Sequence, residues 1–285
     1  MTATIIRARV IHAMTIPFTV QIAATTATVA ETALDMVMPQ IDTHLRDIDA
    51  RFSPFRSDSL VGRARRGDWN ALLKDREFAE IYALCQQAKR LTDGAFDPMH
   101  AGEYDPTGLV KGWAIQRAYE RFLQPLLRDA QYDACKAAAI GGGGDIQAGV
   151  RGDSDFVWRI GVDNPFGNHA TALMPVTATE TTTTTPLAST SRTPSTLRTI
   201  TLRNGAIATS GTSARGEHIT RTDHSLAQAT IVADQLIFAD MWATTAISVG
   251  ENRLRALISQ AGGFGSVDHV QAVLVRADRS LAHLP

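Results

Sequence analysis

The sequence predicts an α+β fold, read as one domain over residues 1–285. Three observations carry this. Apolar residues alternate with polar ones in "FTVQI" (18–22) and "VWRIGV" (157–162), the period-two pattern of half-buried strands. They recur at steps of three and four from Leu34 to Phe52, the pattern of one helix face. The two kinds of segment interleave without a regular strand–helix–strand beat, which argues against a doubly wound parallel sheet.

Taken in chain order, residues up to about 30 read as paired strands. Leu34, Met38, Ile41, Leu45, Ile48 and Phe52 then mark a helix. Pro39 lies inside that run, so a start near Met38 or a bend is expected there. "FAEIYALCQQAKRL" (78–91) is a second helix, with Gly94 as its C-terminal breaker. "WAIQRAYERFL" (113–123) is a third, ended by Pro125. Beyond a glycine run, strands are expected at 157–162, "RTITL", "AIATS" and "QATIVA", then a helix through Asp240 and a strand "VQAVLVR" (270–276). Residues 170–196 are rich in Thr, Ser and Pro with little periodicity, and read as a surface insertion.

Composition narrows the function classes. Net charge is −1, so affinity for nucleic acid through a basic face is not expected. The cluster "RARRGD" (63–68) reads as a solvated loop. The two cysteines, Cys85 and Cys135, lack metal-ligand spacing and suit a reducing compartment. No run of eighteen apolar residues appears, and no signal peptide or lipobox is read, so a cytoplasmic protein without a membrane span is expected.

Five clusters have residue types suited to chemistry. In "RFSPFRSDS" (51–59), Ser53, Phe55, Asp58 and Ser59 crowd a Pro-bearing turn, which alone reads as a capping loop. "LTDGAFDP" (91–98) sets Phe96 and Asp97 after a Gly turn. In "YDPTGLVKGWAI" (104–115), Lys111 lies just before an expected helix start, where amides and a lysine together suit a phosphate. The Walker A spacing is missing. "IGGGGDIQ" (140–147) offers a backbone free to approach a ligand, with Gly143 beside Asp145 as a possible ribose or base acceptor. It is not GxGxxG, which excludes a Rossmann fingerprint.

The fifth cluster is "ADMWATT" (239–245), an acid and a hydroxyl inside an apolar run. Asp240 and Thr244 are four apart and share a helix face. As hard oxygen donors they suit Mg²⁺ or Ca²⁺; as a cap and a back-bonding threonine they suit plain helix structure. Upstream, "AIATSG" and "GEHIT" bring Ser210, Gly211 and His218 into one loop.

In this order the blocks "RFSPFRSDSL", "LTDGAFDP", "DPTGLVKGWAIQ", "GGGGDI", "AIATSG", "EHITR" and "ADMWATTAISVG" resemble the ApbE family, the FAD:protein FMN transferases. The resemblance runs from about Met14 to Gly250. Phe55 stands where the family has tyrosine, Gln116 where it has an acid, and Arg65 or a neighbour where it has asparagine. "TRTDHS" after His218 lacks the family's Pro and Gly.

The resemblance implies an ApbE-like fold, mixed sheets with a barrel-like core flanked by helices. It implies a Mg²⁺-dependent transferase that moves the FMN half of FAD to a threonine of an acceptor protein and releases AMP. Asp240, Thr244 and the Val110 carbonyl would hold the metal. Met14, Ser53, Phe55, Asp58, Ser59, Phe96, Asp97, Lys111, Gly143, Asp145, Ser210 and Gly211 would line the FAD cleft. His218 would receive the threonine proton, with Asp240 or a substrate phosphate as the alternatives. The acceptor would be a redox or respiratory subunit carrying a short flavinylation motif. Two alternatives keep the same cleft: a metal-dependent FAD pyrophosphatase giving FMN and AMP, and an FAD-binding protein without turnover.

Overall fold

The structure, a computed structural model, describes residues 4–99, 102–167, 196–211, 221–261 and 271–284. Its centre is one antiparallel sheet of eight strands in the order β1-β2-β3-β4-β7-β8-β9-β10. Strands β1 (Ile5–Ala13) and β2 (Ile16–Ala24) form the expected N-terminal hairpin. Met14 and Thr15 make its turn with φ of 49° and 63°, the mirror-image turn geometry that fits the twist of paired strands. Next come β3 (Cys135–Gly142) and β4 (Asp145–Val150), joined through Gly143 and Gly144. The sheet continues with β7 (Gly205–Gly211), β8 (Leu226–Ala233), β9 (Gln271–Arg276) and β10 (Leu281–Leu284). The barrel-like core expected from the resemblance is an open sheet among the described residues, with β1 and β10 at its edges. A ribbon of β5 (Trp158–Asp163) and β6 (Thr196–Leu202) stands apart as a second sheet, and its connection spans the Thr-rich residues.

Alternation along the strands gives the sheet two different faces. Phe18, Val20 and Ile22 point into the main core, whereas Ala23, Ala137, Ala139, Ala148 and Val150 pack with Trp158 of the ribbon on the other side. Small side chains on that second face allow the ribbon to lie close, and Trp158 Nε1 donates to the Gly149 carbonyl at 3.2 Å.

The helices cover the first face. α1 (Ala27–Phe52) buries Leu34, Val37, Ile41, Leu45, Ile48 and Phe52, so the spacing of apolar residues did mark its inner face. It starts well before Met38 and passes through Pro39. Pro39 is exposed, so the carbonyl its missing N–H leaves free faces water and costs little. Short helices α2 (Leu60–Arg65) and α3 (Trp69–Leu72) lead to α4 (Arg76–Leu91). Beyond α4, Gly94 donates its N–H to the Lys89 carbonyl at 2.8 Å with φ of 81°, the left-handed stop that the sequence announced.

α5 (Thr107–Ala118) starts six residues earlier than its apolar pattern suggested. Pro106 stands at its N-cap without a side-chain cap, and Asp105 Oδ1 accepts from the Thr107 N–H at 2.9 Å in a turn that leads into the helix. Nor does the helix stop before Pro125. A π-helical turn, Tyr119–Leu123, widens the ladder and leads into α6 (Gln124–Arg128), so the proline ring avoids the preceding carbonyl. α7 (Leu236–Gln260) lies against β7 and β8 and against α5. It is broken at Gly250, where φ is 73° and ψ is 176°, and the Ser248 carbonyl accepts from Thr222 N at 2.8 Å. Among the described residues, no helix is long and apolar enough to cross a membrane.

Candidate functional site

Three charges from three distant stretches, two buried acids and a half-buried lysine, meet where α5, α7 and the β3–β4 hairpin converge. Lys111 projects from the second turn of α5 rather than from its start, because the helix begins at Thr107. Its Nζ is ion-paired with Asp145 Oδ2 and stands 3.6 Å from Asp240 Oδ2. Asp145 is fully buried, and Asp240 is 3% exposed. Asp240 is the fifth residue of α7 and so does not cap it. It is Thr245, not Thr244, that bonds back to a helix carbonyl, at 2.8 Å to Met241 O.

Glycine geometry lets these elements approach. A Cβ on Gly112 would stand 3.2 Å from Asp240 Oδ2 and 3.3 Å from Asp240 Cβ, so a side chain there would crowd the carboxylate. The Gly143–Gly144 turn has φ of 63° and 96° and brings Asp145 to face the end of β7. There Asp145 Oδ1 accepts from the Thr209 N–H at 3.3 Å. The glycine run is thus a hairpin turn, and the acid after it does the facing.

Electrostatics follow from this burial. Removal from water raises the Asp145 carboxyl above the usual carboxylate range, and the nearby Asp240 charge pushes the same way. Lys111 and the Thr209 amide oppose both effects but do not cancel them. Two acids therefore share one ammonium in a place that water barely reaches.

Ser210 extends the cluster, with its Oγ 3.3 Å from Thr244 Oγ1 one helical turn beyond Asp240. Gly211 ends β7 and pairs with Gln228. Val110 precedes Lys111 within α5. Lys111, Asp145, Asp240, Ser210 and Thr244 are therefore brought together, with Val110 and Gly143 adjoining in the chain.

The other predicted residues make separate contacts of their own. Phe96 is buried, and a Cβ on Gly108 of α5 would come within 3.1 Å of its ring. Asp97 pairs with Lys89 at 2.8 Å and accepts from Met99 N at 2.9 Å. Ser53 ends α1 and accepts from Phe55 N at 3.3 Å. Ser59 is buried; it donates to the Ser53 carbonyl at 2.7 Å and caps α2 through Gly62 N at 2.9 Å. Phe55 is 92% exposed, and Asp58 pairs with Arg56 at 2.8 Å in solvent. Met14 donates its N–H to Asp49 Oδ2 at 3.2 Å. Arg65 ties this loop to the start of α5: it donates to the Pro54 carbonyl at 3.1 Å and to the Tyr104 carbonyl at 3.0 Å. His218 lies outside the described residues. Among the described residues no group of three or more His, Cys, Asp or Glu side chains could hold a metal, so any metal here needs hydroxyl, carbonyl or ligand oxygens as well.

Thr209 and Gln147 carry no signal in the sequence, and Gln116 stands out there only as a departure from the family's acid. Nothing local marks Gln147, because its partners Gly205, Asp234 and Leu236 are 58, 87 and 89 residues away.

The model of the ApbE family matches residues 14–104 and 99–267, which take in every one of these side chains. The chain belongs to the ApbE family. No curated protein matches it in sequence. Solved structures from the ApbE family share its fold. The flavin transferase ApbE from Vibrio cholerae superposes with a TM-score of 0.64 at 14% identity, covering 99% of this chain and 97% of that one. The ApbE protein from Thermotoga maritima gives 0.64 at 18% identity, with 98% and 96% covered. The apo flavinyl transferase ApbE from Pseudomonas stutzeri gives 0.64 at 15% identity, with 99% and 94% covered.

Proposed function

We propose that this ApbE family member is an FAD:protein FMN transferase, which moves the FMN half of FAD to a threonine hydroxyl of an acceptor protein and releases AMP. The observation that carries the reading is the buried Asp145–Lys111–Asp240 cluster, in a chain that matches the family over nearly its whole length. In balanced form, the threonine oxygen bonds to the FMN phosphorus and the bond from that phosphorus to the AMP oxygen breaks. The hydroxyl proton passes to a base and AMP leaves with the electron pair. Transfer of this kind asks little covalent chemistry of the protein and much charge neutralisation.

The residues fit a divalent cation. Two carboxylates share one ammonium in a buried place, where a cation would offset their burial and mutual repulsion, and Asp240 with Thr244 offers hard oxygen donors on one helix face. Asp240, Thr244 and the Val110 carbonyl would hold Mg²⁺, which when bound would supply charge neutralisation at the diphosphate oxygens. Lys111, by exchanging Asp145 for a phosphate oxygen, would orient the nucleotide. Asp145 would fix that lysine in the FAD-free state. Ser210 and the Gly143–Gly144 turn would border the diphosphate. Phe96 and the Ser53–Ser59 loop, bearing Phe55, would border the rest of FAD. His218 is our candidate for receiving the proton, since imidazole titrates near neutrality; Asp240 and a substrate phosphate are the others. The acceptor would be a redox or respiratory subunit with a short Asp- and Ser/Thr-containing motif.

The test is covalent flavin transfer to an acceptor from FAD and Mg²⁺, followed by in-gel fluorescence and mass. Wild type should label the acceptor and release AMP in equal amount, and Asp240→Ala should reduce labelling at least about a hundredfold. Full-rate labelling by a folded Asp240→Ala protein would remove the metal assignment. AMP release without any acceptor would point to hydrolysis instead.

A further inference from the structure

The helix that carries Asp240 is not capped by its own sequence. The residue before α7 is Gln235, whose side chain makes no capping hydrogen bond. The first amides of a helix have no partner inside it, and buried ones are costly to leave unmet. Leu236 is fully buried and Ile237 is 7% exposed, so solvent cannot easily serve them. Two glutamines from elsewhere in the chain do so. Gln147 Oε1 accepts from Leu236 N at 3.1 Å, and Gln116 Oε1 accepts from Ile237 N at 3.3 Å.

Where these glutamines come from gives them a further consequence. Gln147 lies on β4, two residues after Asp145, and Gln116 lies on α5, five residues after Lys111. Each element that supplies a charge to the cluster thus also supplies a cap to the helix that supplies the third. Gln147 is fixed in turn, because its Nε2 donates to the carbonyls of Gly205 at 3.1 Å and Asp234 at 3.2 Å. Gln116 Nε2 donates to Glu120 Oε1 at 2.8 Å. Both side chains are buried, with exposures of 6% and 8%.

We infer that Gln116 and Gln147 are positioning residues, which set the start of α7 against α5 and β4 and thereby hold Asp240 at its distance from Lys111 and Asp145. Neither touches the charges themselves. An amide suits the task better than a carboxylate at Gln147, where one end must accept and the other must donate. At Gln116 only the accepting end reaches α7, so an acid can replace it provided that Glu120 swings into solvent. The inference that this affects turnover rests on the transferase reading; the inference about α7 does not.

The experiment pairs hydrogen exchange with kinetics on the full-length protein, using Gln116→Leu, Gln116→Glu, Gln147→Leu and Gln147→Glu. Loss of one cap should speed exchange in the first turn of α7 by about tenfold or more in both leucine variants, with the β1–β2 hairpin unchanged. In the same variants kcat should fall about tenfold or more while KM for FAD stays within about threefold, the sign of misplaced chemistry rather than lost binding. Gln116→Glu should restore both readouts, whereas Gln147→Glu should not. If leucine variants that melt cooperatively keep wild-type exchange in α7 and wild-type kcat, the inference is wrong. If a leucine variant does not fold, the contrast between the two glutamate variants decides, and equal behaviour of those two overturns it. An inactive wild type would sink the transferase reading but leave the exchange result standing.

Discussion

Lys111 holds its ammonium between two carboxylates that water barely reaches, and each charge there depends on the other two. Asp145 is buried with Lys111 as its ion-pair partner, so at a pH above the raised range of this acid removing that partner strands a charge. Breaking a buried pair from one side costs about 3–5 kcal/mol, more than an exposed pair of the same geometry would lose. Lys111→Met should therefore destabilise the protein by about that amount in a denaturant titration. Adding Asp145→Asn should recover a good part of it, because the stranded charge is then removed. If the single variant unfolds like wild type, Asp145 takes up a proton once Lys111 is gone and no charge is stranded.

At the scale of elements, the contact between α1 and α5 contains a histidine placed for packing. His44 of α1 is 9% exposed, meets the Phe122 ring edge-on at 5.7 Å, and has no hydrogen-bond partner on Nε2. Burial lowers its pKa below the usual 6.5, and the neighbouring Arg121 charge lowers it further, against a hydrogen bond to the Ala114 carbonyl. The folded protein thus resists a proton that the unfolded chain accepts near the ordinary value. The stability His44 contributes is complete above the unfolded value of about 6.5 and is lost as pH falls from there toward the lower folded value. Melting temperature followed from pH 7.5 to 5 should fall in wild type, and less steeply in His44→Leu. Equal slopes would mean that His44 titrates normally in place.

Across the whole molecule, the eight-stranded sheet and its helices enclose one main core, and both thiols lie within it. Burial pushes the Cys85 thiol up to about 12 and raises Cys135 as well. A thiol that is both enclosed and protonated is a poor nucleophile, so alkylation has to wait for opening. Both cysteines should resist iodoacetamide at pH 8, and denaturant should expose them together, at the midpoint seen by circular dichroism. Rapid modification of either thiol in the native protein would show a local opening that the single core does not suggest.

Much of this was legible in the chain itself. Residues that act through local spacing declared themselves: the inner face of α1 from Leu34 to Phe52, the left-handed stop at Gly94, and Asp240 with Thr244 on one helix face. The blocks resembling the ApbE family marked Lys111, Asp145 and Asp240 before any geometry was known. Local pattern misjudged Pro39 and Pro125, since a proline's cost depends on whether its freed carbonyl faces solvent or a widened turn. It placed Lys111 at a helix start that in fact lies upstream, at Thr107. Only the tertiary structure decided that Lys111 meets two buried acids, that Gly112 makes room for Asp240, and that Gln116 and Gln147 cap α7. Those contacts join residues from 34 to 129 positions apart in the chain, and spacing along a sequence carries no information about such pairs.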